Sequence, residues 1–418
     1  MSWQSTEALD ARYKNSFGWL AGYLPEDRSG IDNWLKDLRS NAKQALTPGK
    51  ITFRNESVRA LSELIYSDGI VRMYVTEMIN QVPDAHKTID SIDELLYTLD
   101  VICKTAPAYN ADKSKRVLFP MSALFVYMMA TPAGKAAFRN DAFNEALRNI
   151  LKTWCDYLDS PASLSVINYD NVTGWLGDAA KVEFKLDQFV IEWGATHGGF
   201  QSYNDFFHRE IKSDKRPIAG VGDPSVIVSA NDGTVYKIAA DVQPYTEFWI
   251  KEKCYSLADM VNYDSELVKR FTGGTVIQVF LSGADYHRWH APVDGLVHVE
   301  NVNGLLFSEN DDTAFDPDAG VASQVYGAAV NNRGLIFIEA KDTRLGVVGI
   351  IPIGITEISS ITTTARPGSH VTKGEELGYF SYGGSTLCLL FQKNVVKSFT
   401  KQVKETIEVN AQIATANF

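Results

Sequence analysis

Close to the C-terminal end two glycines feed directly into a serine, in Tyr382-Gly383-Gly384-Ser385-Thr386. Glycine reaches backbone conformations closed to other residues, and the Gly384 carbonyl is open on a side that carries no Cβ. The Ser385 hydroxyl is near enough to attack that carbonyl through a five-membered ring. An internal N→O acyl shift needs this arrangement. A plain turn has the same composition, so the Gly-Ser pair takes its meaning from partners elsewhere in the chain.

Two of the seven histidines are the first such partners. His287 and His290 stand three apart in Asp285-Tyr286-His287-Arg288-Trp289-His290, after a predicted strand and before Ala291-Pro292. Extended backbone would send the two rings to opposite faces, whereas a turn would bring both to one pocket. Three uses compete: a metal pair, hydrogen-bonded histidines in a wall, or general acid–base work, for which imidazole has a fitting pKa. No third ligand accompanies the pair in a recognised motif, so no metal site is expected. Asn231-Asp232-Gly233-Thr234 follows another predicted strand. Asp-Gly is the strongest short hairpin signal, yet a buried carboxylate beside a histidine would fix the imidazole tautomer and stabilise its cation. Asp232, His287 or His290, and Ser385 are thus the candidates for activating a serine.

The elements that must position them fall into two textures. Residues 1–197 are helical in pattern. Phe143, Leu147, Ile150, Leu151, Trp154 and Leu158 recur every three or four positions, one stripe of an amphipathic helix. Val58, Leu61, Leu64 and Ile65 start a second stripe, and Leu95, Leu96, Leu99 and Ile102 a third. Thr131-Pro132-Ala133-Gly134 marks a break between helices, with proline at an early helical position. This half carries no chemistry and is expected to be an accessory domain. From residue 198 onward, Val226–Ser229, Thr275–Ser282, Leu335–Ala340 and Gly346–Ile355 are β-branched runs of strand length. Val371-Thr372-Lys373-Gly374 is a turn between two further strands. The expected fold is therefore α+β, a helical domain over 1–197 and a mainly β domain over 198–418. An acidic stretch within 301–320 (Glu309-Asn310-Asp311-Asp312 and onward) is expected to be a solvated loop; a calcium site is the alternative there, although the spacing matches no EF-hand loop.

With 418 residues, 45% hydrophobic and 22% charged, the chain can bury a sizeable core. A net charge of −11 argues against a nucleic-acid partner and against docking to anionic lipid. The four cysteines, Cys103, Cys155, Cys254 and Cys388, are scattered and make no metal spacing, as in a reduced compartment. The opening MSWQSTEALDARYK lacks the apolar stretch of a signal peptide. The longest apolar run, Val117–Ala130, holds Pro120 and is shorter than the ~20 residues a bilayer span takes. A cytoplasmic protein without membrane insertion is expected.

Taken in order, five motifs resemble the phosphatidylserine decarboxylase family, pyruvoyl-dependent enzymes that cleave themselves. They are Ser202-Tyr203-Asn204-Asp205-Phe206-Phe207-His208-Arg209 with Arg216-Pro217, Ser229-Ala230-Asn231-Asp232-Gly233, Tyr286-His287-Arg288-Trp289-His290, Val371-Thr372-Lys373-Gly374-Glu375-Glu376-Leu377-Gly378-Tyr379-Phe380, and Gly383-Gly384-Ser385-Thr386. Lipid-acting members usually carry Leu-Gly-Ser-Thr where this chain has two glycines, and Gly354-Ile355-Thr356-Glu357-Ile358-Ser359 also departs from them. With Lys104-Thr105-Ala106-Pro107 and Gly174-Trp175-Leu176, these features look like the soluble branch that includes a fungal L-tryptophan decarboxylase of psilocybin biosynthesis. The carboxylate at Asp232 is instead shared with the lipid enzymes.

The resemblance implies cleavage between Gly384 and Ser385, with His290 as base and Asp232 orienting it. Ser385 would become a covalent pyruvoyl group, and the large and small chains would stay associated. It also implies a Schiff base between that group and a substrate amine, with His287 protonating the carbanion left after loss of CO₂. A soluble aromatic amino acid, tryptophan before tyrosine or phenylalanine, is the expected substrate, and phosphatidylserine the alternative. A third reading comes from Val371–Phe380, which resembles the hammerhead hairpins of biotinyl and lipoyl carriers. It would make the chain a non-catalytic carrier-like binding module, although Lys373-Gly374 matches a carrier lysine poorly. A serine hydrolase lacks support, because no Gly-x-Ser-x-Gly elbow is present.

Overall fold

The computed structural model describes residues 24–25, 28–45, 53–246, 255–282, 285–308, 323–357, 360–382 and 385–418. The chain forms two compact units and is α+β. The predicted boundary at residue 197 is not where the chain divides. Residues 184–190 belong to the β unit, while 191–206 and 305–323 belong to the helical one. Backbone bonds explain the first exchange, since Val190 N–H donates to Glu210 and Lys212 N–H to Gln188. Side chains explain the second. Tyr203 N–H donates to Ser163 Oγ at 2.8 Å, the Phe206 ring packs on Trp175, and Phe307 packs on Phe125.

In the helical unit the stripe from Phe143 to Leu158 is the buried face of a helix over Asp141–Leu158, capped by Asn140 Oδ1, which accepts from Phe143 N–H. Helices Glu56–Ser67 and Ile92–Ile102 bury the other two stripes, apart from the half-buried Leu64. Pro120 does not break the apolar run but opens a helix, Pro120–Met129, buried on every side. Thr131 then caps Pro132–Phe138 by accepting from Gly134 N–H at 2.9 Å. The segments Lys104–Pro107 and Gly174–Leu176, far apart in sequence, are pinned together. Trp175 Nε1–H donates to the Pro107 carbonyl at 2.8 Å, and Trp154 Nε1–H to the Thr105 carbonyl at 2.9 Å.

The β unit contains strands β1 (Val226–Val228), β2 (Gly233–Ala240), β3 (Thr275–Leu281), β4 (Arg288–His290), β5 (Gly295–Val302), β6 (Arg333–Ala340) and β7 (Val347–Gly354). They are followed by β8 (Ser360–Thr363), β9 (His370–Val371), β10 (Glu376–Ser381), β11 (Ser385–Phe391), β12 (Val396–Phe399), β13 (Thr406–Ile407) and β14 (Gln412–Ala416). Eight of them form one antiparallel sheet in the order β13-β2-β3-β11-β7-β6-β5-β9. Two three-stranded sheets, β1-β14-β12 and β4-β10-β8, complete the unit. One face of the large sheet is covered by Leu257, Met260, Phe271 and Val325, packed with Val276, Ile351 and Leu390 into a core. β7 is buried along its whole length, as a continuous apolar run in a sheet interior should be.

Asn231–Thr234 is not a hairpin turn. β1 and β2 pair in different sheets, and Asp232 lies on the link between them. Gly233 has φ +154°, and a Cβ there would stand 2.2 Å from the Phe280 carbonyl oxygen. Only glycine lets β2 approach β3 so closely.

Candidate active site

Strand register brings two of the motifs, those holding Asp232 and Ser385, to one end of the large sheet. Thr234 pairs with Phe280, Phe280 with Thr386, and Thr386 with Ile353. One residue further, Ser385 pairs with Leu281 on one side and Gly354 on the other. Asp232 and Ser282 precede and follow their strands at that same end. Ser385 therefore opens a central strand, with its backbone held from both sides. Gly383, Gly384 and the side chain of Ser385 lie outside the described residues, as does the acidic stretch 309–322. The chain reaches Ser385 from another sheet. β10, the middle strand of β4-β10-β8, ends at Ser381 paired to Ser360, and β11 begins four residues on.

His290 is the last residue of β4 and its ring is tightly defined. Nδ1 lies 2.8 Å from the Gly374 carbonyl oxygen, and Nε2 lies 3.0 Å from the Tyr286 hydroxyl. A carbonyl only accepts, so Nδ1 carries the proton and Nε2 offers its lone pair to the tyrosine. Burial holds the imidazole below its ordinary pKa, partly offset by the Gly374 carbonyl. The ring is thus kept neutral, the form that works as a base. His287 is wholly buried, with its ring 4.1 Å from that of Phe207, which in turn lies 5.3 Å from Tyr382.

Asp232 is buried beside this motif, and His290 N–H donates to Ala230 O at 2.8 Å. The expected Asp232–His290 side-chain bond is nevertheless not formed. Arg216 Nε and Nη2 grip the two carboxylate oxygens at 2.9 and 2.6 Å, and Val409 N–H donates to Oδ1 at 2.7 Å. A bidentate guanidinium satisfies a buried carboxylate better than one imidazole N–H can, so Asp232 is committed to Arg216. The orienting partner of His290 is the Gly374 carbonyl. Burial pulls the Arg216 pKa down, but the bonds and charge of Asp232 outweigh this and raise it.

Asp285, Tyr286, Gly374 and Arg216 were not singled out from sequence, although each sits inside a motif that was. Burial, aided by the charge of Asp232, pushes the Asp285 carboxyl up to about 6, against the bond it accepts from Ser282 N–H. Lys373 is buried too, donating from Nζ to the carbonyls of Gly220, Asp223 and Val226 at 2.8, 2.8 and 2.7 Å. A carrier domain must present its lysine to solvent, so the geometry of this turn argues against a carrier. Among the described residues no three His, Cys, Asp or Glu side chains are grouped to hold a metal ion. Among the same residues no helix is long and apolar enough to cross a membrane.

Comparison with known proteins defines the class. A phosphatidylserine decarboxylase family model matches residues 203–415, and a second of the same description matches 55–184. The chain is 36% identical over 310 residues to a decarboxylase, iboD, of Amanita muscaria, an alignment covering 68% of this chain and 87% of that one. It is 30% identical over 387 residues to an L-tryptophan decarboxylase of Psilocybe cubensis, covering 86% of each chain. A phosphatidylserine decarboxylase proenzyme of Chlamydia felis is 33% identical over 241 residues, 54% of this chain and 74% of its own. The chain belongs to the phosphatidylserine decarboxylase family. It is an enzyme of the carboxy-lyase class.

Proposed function

We propose that the chain is a proenzyme that cuts itself between Gly384 and Ser385 and then decarboxylates a free aromatic L-amino acid, tryptophan first, then tyrosine or phenylalanine. The observation that carries the substrate is the reach of the likeness. It runs over 86% of the chain for the L-tryptophan decarboxylase and over 54% for the phosphatidylserine decarboxylase proenzyme.

In maturation His290 Nε2 receives the Ser385 hydroxyl proton while the oxygen adds to the Gly384 carbonyl carbon. The Gly384–Ser385 C–N bond breaks, the nitrogen takes up a proton, and an ester replaces the amide. Loss of the Ser385 Cα proton then expels Gly384 as a carboxylate and leaves dehydroalanine. Water converts this to a pyruvoyl group and releases ammonia. The site suits such a group. Position 385 opens β11 between Leu281 and Gly354, so backbone pairing alone fixes it, and β11 keeps the small chain within the sheet after cleavage. Once formed, the group supplies an electron sink for the bond that loses CO₂. His287, buried with its ring tilted against that of Phe207, delivers a proton to the carbon that has released CO₂.

Product analysis on both substrates tests the assignment. Tryptamine and CO₂ are expected from tryptophan. Efficient formation of phosphatidylethanolamine with no aromatic amine would replace the amino acid by phosphatidylserine. The rate of self-cleavage should also report His290. Its pKa lies below the ordinary 6.5, so the neutral base persists as the pH falls through that value. Cleavage is expected to hold its plateau at pH 6.5 and decline only in more acidic buffer. A rate already halved at 6.5 or above would remove His290 as the base.

A further inference from the structure

Ten non-glycine residues have positive φ among the described residues, and seven of these lie wholly or partly at the surface. The buried three are Thr356, Tyr382 and Asn410. Asparagine tolerates the left-handed region, but tyrosine does not adopt it without cost. Tyr382, at φ +33°, stands two residues before Gly384. We propose that Tyr382 is a strain-bearing positioning residue for self-cleavage: its buried ring holds the chain upstream of the scissile bond in a left-handed conformation that cleavage releases.

Three features carry this. The ring is only 4% exposed and sits against Phe207, which itself packs on His287, so the side chain is anchored in the wall that holds a candidate catalytic imidazole. Ser381 is fixed in β10 by its pairing to Ser360, and Ser385 is fixed in β11 by pairing on both sides. Three residues, 382–384, separate those two fixed positions, so the intact chain limits how far Tyr382 can relax. Once the bond is cut, the large chain ends two residues beyond Tyr382 and its φ can return to the extended region with the ring in place. Strain of this kind persists only where the surrounding structure over-determines it. Strain present in the precursor and absent in the product accelerates the step that relieves it. Full release at the transition state corresponds to about five- to thirtyfold in rate.

The proposal rests on the self-cleavage reading, and the experiment separates the two. Precursor made in a short cell-free pulse is chased and followed by denaturing electrophoresis for wild type, Tyr382→Gly, Tyr382→Phe and Lys404→Gly. Tyr382→Gly should cleave about five- to thirtyfold more slowly. Tyr382→Phe, which keeps ring and strain, should match wild type. Lys404→Gly should also match it, because that left-handed residue (φ +75°) is exposed and lies just before β13, three strands from β11 in the sheet. Wild-type speed in the glycine variant, or equal slowing in the phenylalanine variant, overturns the proposal and leaves self-cleavage standing. A wild-type chain that stays whole overturns self-cleavage itself. Should Tyr382→Gly not fold, Phe207→Leu loosens the seat of the ring without touching the connector. Slower cleavage is expected there, and an unchanged rate overturns the proposal.

Discussion

A Ser385→Ala chain is expected to remain one species of 418 residues and to release no amine, whereas wild type is expected to separate on a denaturing gel into two chains. Both losses follow from one atom. Without the hydroxyl no ester forms at Gly384, so the bond is not broken; without the ester, position 385 never acquires a carbonyl. Enzymes supply roughly 10⁶-fold acceleration or more, so activity should fall below detection rather than merely decline. Folding should hardly change, because β11 keeps its backbone bonds to β3 and β7 and its buried Leu387, Cys388 and Leu390. Intact mass adds the position. The small chain should run from a blocked residue 385 to Phe418, with Thr386 its first unmodified residue. Thr386 is buried and donates from Oγ1 to the Val279 carbonyl at 3.2 Å, a structural bond that leaves the neighbouring serine as the nucleophile. Cleavage at any other bond, or a wild-type chain that stays whole, would sink the maturation scheme.

The sequence was most legible where burial is periodic. Every apolar position of the Phe143–Leu158 stripe is buried on one helix, and the four predicted strands match β1, β3, β6 and β7 within a few residues. Periodicity works because the core selects one face of an element. It cannot say which elements share a unit, and the single cut at 197 missed that the chain returns to the helical unit at 305. The site divided in the same way. Residue type picked out Ser385, Asp232 and the two histidines, because few side chains can do their chemistry. Pairing between them was misjudged. The residue that holds His290 Nδ1 is a glycine, and it acts through a backbone carbonyl that no side-chain pattern can reveal. Arg216 stood in a quoted motif, yet only the fold shows that its guanidinium meets Asp232, sixteen positions on, on both oxygens. The hairpin reading of Asp232-Gly233 failed for a related reason: the glycine answers a close approach from β3, which is remote in sequence.

The Arg216–Asp232 pair gives the second large effect, and it separates the two roles open to that carboxylate. Arg216→Ala should destabilise the fold at pH 7 by about 3–5 kcal/mol, the usual consequence of leaving a buried charge without its partner. Of the bonds that the Asp232 carboxylate accepts among the described residues, that from Val409 N–H would remain. The sign of the pH dependence follows. An unpaired buried carboxylate has a folded pKa above its unfolded value, so the variant should recover stability as the pH falls and lose it again as the pH rises. Replacing both partners, as Arg216→Met with Asp232→Leu, removes the charge with the guanidinium and should restore much of the loss in a urea titration. Self-cleavage supplies the discriminating readout. The Gly374 and Tyr286 contacts of His290 do not involve Arg216, so folded Arg216→Ala protein should still cut itself. A loss below about 1 kcal/mol would show that the pair does not hold this part of the fold. Full stability with abolished cleavage would return Asp232 to the orienting role that its geometry in the precursor denies it, because the carboxylate would then matter to the base and not to the fold.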